Sequence, residues 1–162
     1  MSKNFNKKGF SLLEVLAVVI IIGILAALGY SSLNDLIQTN KAKETSRVLA
    51  AFSERALAES KMRKEPVTII LNGNTMRVYT TEQTLASQTF ASGFAESNLT
   101  PNDCVNINSG IETQIIIGAS GIEEGCFVAC NAIGYCGSAI KTIYKNKFTA
   151  HYKRKNSSWE EL

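Results

Sequence analysis

The sequence predicts an α+β fold, with one long N-terminal helix followed by an antiparallel β-sheet domain. Three observations carry this. Apolar residues keep a helical spacing from Phe10 to about Arg63; beyond Pro66 the pattern changes to short strand-like runs; and all four cysteines fall after Pro101. With 162 residues there is room for one domain and an appendage, not for two full-sized domains.

The first half of the helix reads as a membrane segment. From Phe10 to Tyr30 the only charged residue is Glu14, and a helix of this length spans roughly 30 Å, the thickness of a bilayer core. Lys3, Lys7 and Lys8 precede it, so the positive-inside rule leaves the N-terminus in the cytoplasm and sends the rest outward. A secretory signal peptide, cut near Ala27-Leu28-Gly29, and a plain single-pass anchor both fit the apolar run. Neither accounts for Glu14, because a carboxylate near the centre of a membrane helix costs about 2.5 to 3.5 kcal/mol, less near an end.

After Tyr30 the helix becomes amphipathic. Leu33, Leu36, Ile37, Val48, Leu49, Phe52, Ala56 and Leu57 recur at three- and four-residue spacing, with charged residues filling much of the remainder. Apolar positions between Asn34 and Ser46 are too sparse for the heptads of a coiled coil. Glu65-Pro66 supplies the stop, giving a helix on the order of 80 Å long.

Val67 to Leu71 and Thr75 to Tyr79 flank Asn72-Gly73-Asn74 and read as a hairpin. Further strands are expected at 105–108, 113–117, 126–129, 139–144 and 147–153, and a long loop with at most one strand between Thr80 and Asp103. The resulting plan is a leader over 1–9, a transmembrane and polymerisation helix over 10–30, its amphipathic continuation over 31–65, and a β-rich domain over 66–162.

Cys104, Cys126, Cys130 and Cys136 are even in number and lie in a region placed outside the cytoplasm, which favours one or two disulfides of unspecified pairing. A zinc site is disfavoured, since the spacing lacks a C-x2-C pair and His151 is the sole histidine. The formal charge of +3 is supplied by the three leader lysines, and without residues 1–9 the chain is balanced. Net charge thus gives no argument for an acidic partner. No nucleophile and base pair in the sequence, and Gly118, Gly121 and Gly125 lack the lysine and helix that a phosphate loop needs. Neither an enzyme nor a bound cofactor or metal is expected.

The segment K-K-G-F-S-L-L-E-V, Lys7 to Val15, resembles the leader of type IV prepilins and type II secretion pseudopilins. The resemblance implies a pilin-like fold and a prepilin peptidase that cuts after Gly9 and methylates the new N-terminus at Phe10. It also implies that Glu14 neutralises the terminal amine of a neighbouring pilin subunit during assembly. The chain would sit in the bacterial inner membrane as a single-pass protein with its C-terminal domain extracytoplasmic, then enter a filament. Burying a carboxylate and an ammonium together costs far less than burying either alone, so the pair would act as a ruler for register. One departure is that Gly29-Tyr30-Ser31-Ser32-Leu33 lacks the proline many major pilins carry there. A narrower resemblance covers Lys41 to Tyr79, including A-L-A-E-S-K-M-R-K-E-P-V-T-I-I-L, which is similar to the FimT and GspH branch of minor pilins and pseudopilins.

The alternative partner is DNA. Lys141, Lys145, Lys147, Lys153, Arg154 and Lys155 form a run without an acidic residue, interleaved with Tyr144, Phe148 and Tyr152. Lys153, Arg154 and Lys155 are its candidate contacts, and some FimT-like minor pilins are implicated in DNA uptake. A solvated edge strand protected by lysines is the commoner explanation of such a pattern.

Overall fold

The computed structural model describes residues 11–81, 83–97, 113–118, 120, 124–142 and 144–162. They form the α+β arrangement expected: α1 (Leu12–Arg63), then strands in two antiparallel sheets. Ser11 starts the helix, its Oγ accepting the Glu14 N–H at 3.3 Å as an N-cap does. At the other end Lys64 takes a left-handed conformation (φ 57°), Pro66 follows, and the basic Lys61 and Arg63 occupy the last turn, where they complement the helix dipole. By its contacts the chain divides between Ile37 and Gln38, so the later part of α1 belongs to the unit that holds the sheets.

The four-stranded sheet has the order β3-β2-β1-β5, built from β1 (Val67–Asn72), β2 (Thr75–Tyr79), β3 (Thr84–Thr89) and β5 (Thr113–Ile117). In the β1–β2 hairpin Asn72 faces Thr75, and Gly73 takes positive φ (57°) as the first residue of a two-residue loop, a position that favours glycine. Alternation is clean: Val67, Ile69 and Leu71 point into the core with Met76 and Val78, while the residues between them are half-buried or exposed.

The five-stranded sheet has the order β4-β6-β7-β8-β9, from β4 (Phe94–Glu96), β6 (Gly125–Asn131), β7 (Cys136–Lys141), β8 (Thr149–Lys153) and β9 (Trp159–Glu161). Every residue of β7 is buried, so it is sheltered on both faces. Gly137 faces the helix. A Cβ there would meet Ala42 O at 2.7 Å and Ser46 N at 2.8 Å, so glycine permits this close approach. Ser46 Oγ lies 2.6 Å from the His151 carbonyl and 2.8 Å from that of Ala42, tying α1 to β8. The main core joins Leu49, Phe52 and Leu57 of the helix to the inner faces of both sheets, with Phe94 and Phe127 among its largest fully buried side chains.

A disulfide joins Cys130 to Cys136, which oppose each other across the β6–β7 pair. Cys126 is also disulfide-bonded. Cys104 lies outside the described residues, as does the strand expected at 105–108.

Several expected boundaries are corrected. The stretch read as a loop with at most one strand contains both β3 and β4. β3 is an edge strand with mostly exposed, small or polar residues, so it lacks the apolar alternation by which strands are read. The strand expected at 139–144 instead runs Cys136–Lys141, because Gly137 and Ser138 belong to the sheet although neither is a strong strand former. β8 starts at Thr149 rather than 147, and β9 was not expected at all.

Candidate functional site

Two regions bear on function. In the first, α1 is long and apolar enough to cross a membrane by length and composition. Leu12 to Leu25 carry their large apolar side chains in the open, from 49% exposed at Val18 to 87% at Leu12, and Leu33, Leu36 and Ile37 continue the exposed surface. A surface apolar on every side is one that lipid or other helices would cover.

Glu14 lies in the first turn of this helix, and among the described residues no group pairs with its carboxylate. Its position also has a local rationale that sequence reasoning missed. Ser11-Leu12-Leu13-Glu14 has the S-x-x-E spacing of a capping box, and the Ser11 half of that box is formed. A carboxylate here also complements the positive end of the helix dipole. Glu14 is therefore suited both to starting the helix and to receiving a cation from outside the chain. Gly9 and Phe10, the expected cleavage and methylation positions, lie outside the described residues.

Residues 4–30 match a family model described as the prokaryotic N-terminal methylation motif. The chain carries this motif, which is of the type IV pilin kind. No curated protein and no solved structure matches the chain. The methylation motif implies processing by a prepilin peptidase and assembly with other pilin subunits, and proteins with pilin-like motifs of this family are structural subunits rather than enzymes. With the motif in place, the long helix followed by antiparallel sheets is a pilin-like architecture. The exposed apolar helix is consistent with a membrane-anchored pilin.

The second region is the basic C-terminal segment of this motif-bearing chain. The run of cations is free of acid along the sequence but not in space, because β9 places two carboxylates beside it. Lys145 Nζ lies 2.6 Å from Glu161 Oε1, and Arg154 Nη2 lies 3.3 Å from Glu160 Oε1. Lys141 is buried and its ammonium donates to the Lys145 carbonyl. Lys153 is half-buried and Lys155 exposed. The Tyr152 hydroxyl donates to Glu160, and Lys43 Nζ sits 4.6 Å from the centre of the Tyr152 ring, a cation–π contact. This partial neutralisation weakens the case for a phosphate-tracking surface. The missed signal was the pair Glu160-Glu161 close behind the run, which only strand pairing brings alongside.

These contacts set a pH dependence. The Tyr152 hydroxyl, foremost, and Arg154 hold the Glu160 carboxyl below its ordinary range, while Lys145 does the same for Glu161. A carboxylate with a lowered folded pKa contributes stability above its unfolded value, and that contribution is lost as pH falls through the lowered one. Both residues are substantially exposed, so solvent screens the effect. In acid titrations of unfolding, wild type is expected to lose stability more steeply below about pH 4 than the double variant Glu160→Gln, Glu161→Gln. Parallel curves would show that the β9 carboxylates do not couple to folding.

Proposed function

We propose that the protein is a minor subunit of a type IV pilus or a type II secretion pseudopilus, of the FimT- and GspH-like kind. It is held in the bacterial inner membrane by the apolar part of α1, with its C-terminal domain extracytoplasmic, until it enters a filament. Prepilin peptidase cuts after Gly9 and methylates Phe10, and Glu14 then meets the terminal amine of a neighbouring subunit, in a filament of like or mixed subunits. The observation that carries this reading is the methylation motif over residues 4–30. An apolar helix whose first-turn carboxylate has no partner among the described residues supports it. In this reading the extracytoplasmic domain is held by the Cys130–Cys136 bridge, and Cys126 is disulfide-bonded as well.

In the filament core the two charges leave water together, so either one without the other would carry a desolvation cost of several kcal/mol, about. The pairing thus fixes the height at which a subunit enters. It also makes the test specific. Glutamine preserves the capping spacing but removes the charge, whereas alanine removes both. Glu14→Gln is therefore expected to be processed normally and yet to enter filaments at least about tenfold less well, measured by immunoblot of sheared filaments against total membranes. If Glu14→Gln assembles like wild type and only Glu14→Ala fails, Glu14 serves the helix start and not the pairing. Gly9→Leu should accumulate as a full-length, membrane-retained precursor; a normally shortened product would remove the cleavage assignment.

A further inference from the structure

A cleft of about 380 Å³ opens on the five-stranded sheet, lined by Glu124, Tyr144, Lys145, His151 and Glu161 over Ile140 and two threonines. Register places it on the face away from α1. Gly137 points at the helix, so Ile140, three residues on, points to the other side. Thr149 faces Ile140, and His151 faces Glu161, across their strand pairs, so these side chains share that outer face. The volume falls in the range of small-molecule sites.

From this cleft we infer a binding site for a neutral, hydroxyl-rich ligand of the size of one or two sugar residues. The lining offers both kinds of hydrogen-bonding group in a fixed arrangement. Glu161 is held by Lys145 Nζ at 2.6 Å through one oxygen, and its other oxygen lies 3.7 Å from His151 Nε2. His151 Nδ1 lies 3.3 Å from the Thr149 carbonyl. A carbonyl can only accept, so Nδ1 donates there and the ring is held with its Nε2 edge beside Glu161 at the cleft. The Thr149 hydroxyl is committed to the Ile140 carbonyl at 3.1 Å, which keeps the floor rigid.

Glu124 lines the cleft with no ion-pair or hydrogen-bond partner among the described residues, and Tyr144, 90% exposed, stands at the rim. An aromatic ring there offers an apolar face to the C–H face of a sugar ring, while Glu124 accepts from its hydroxyls. Other ligand classes fit less well. The carboxylates oppose an anion. A cation at Glu161 would have to displace Lys145. Among the described residues no three metal-ligating side chains come together. Hydroxyl groups, each donor and acceptor at once, match a lining that mixes carboxylates, an ammonium and an imidazole.

The test uses the full chain in a sugar-free detergent and is independent of the filament reading, since it requires neither cleavage nor assembly. Methyl α-glucoside, methyl α-galactoside and N-acetylglucosamine are titrated by calorimetry and by saturation-transfer NMR. N-acetyl-lysinamide and inorganic phosphate serve as the cationic and anionic comparisons. At least one neutral sugar is expected to bind saturably in the millimolar range, about the affinity few contacts provide. Glu124→Ala and Tyr144→Ala are each expected to weaken it about tenfold, with unchanged circular dichroism. Absence of saturable binding by all three sugars, tighter binding of either charged probe, or variants that bind like wild type would each overturn the assignment.

Discussion

Gly137→Ala is expected to destabilise the domain by about 3 kcal/mol, measured by chemical denaturation of the full chain in detergent. The reason is where the added methyl would go. Its Cβ would lie 2.7 Å from Ala42 O, 2.8 Å from Ser46 N and 2.9 Å from Ser46 Oγ. Two of these three atoms are backbone in the middle of α1, so no flexible side-chain end can move aside. Relief requires α1 to lift from β7. That movement would stretch the contact between Ser46 and the His151 carbonyl and loosen the packing of Leu49 and Phe52 in the same core. Gly73→Ala is the informative control. Nothing lies within 4 Å of its would-be Cβ, but its φ of 57° disfavours other residues, so a backbone cost of about 1 kcal/mol is all that is expected. Equal losses at the two positions would show that steric approach at β7 is not the deciding term.

Phe94→Ala is expected to cost about 3 to 5 kcal/mol. Phe94 is 1% exposed and lies in the cluster that joins the helix to both sheets. It is the first residue of β4, which pairs with β6, while the nearby Glu96 N–H donates to the Gly73 carbonyl at 2.9 Å. The side chain thus fills space where the two sheets meet, and neither can collapse inward without disturbing the other. Denaturation of Phe94→Leu beside Phe94→Ala checks the mechanism. Leucine refills part of the cavity and should recover a substantial fraction of the loss, whereas identical losses would argue that the aromatic shape, not the filled volume, is what matters.

What the sequence made legible follows from how each feature is encoded. The helix and its end at Arg63 are written in local terms: apolar spacing, a proline, and charges that favour the last turn. The β1–β2 hairpin is equally local, with alternating apolar residues around a glycine turn. β5 is read over the same residues, 113–117, for the same reason. β3, β4 and β9 escape such reading because their support comes from elsewhere. β3 borrows its ladder from β2 while exposing small and polar residues. β4 and β9 are three residues each, too short to show a period. At the site, the methylation motif was legible because it is a contiguous stretch. The capping role open to Glu14 is local too, in its S-x-x-E spacing from Ser11, whereas the carboxylates set against the basic segment and the cleft around His151 depend on which residues folding brings together.

The short last strand also governs what the domain avoids. β9 ends the five-stranded sheet with only Trp159, Glu160 and Glu161, and its two carboxylates place negative charge along that border. Such a border is a poor template for another chain's strand. Subunits crowded side by side would find no easy route to fuse their sheets there. In the proposed filament this border would therefore stay out of cross-β pairing, which seldom comes apart once formed.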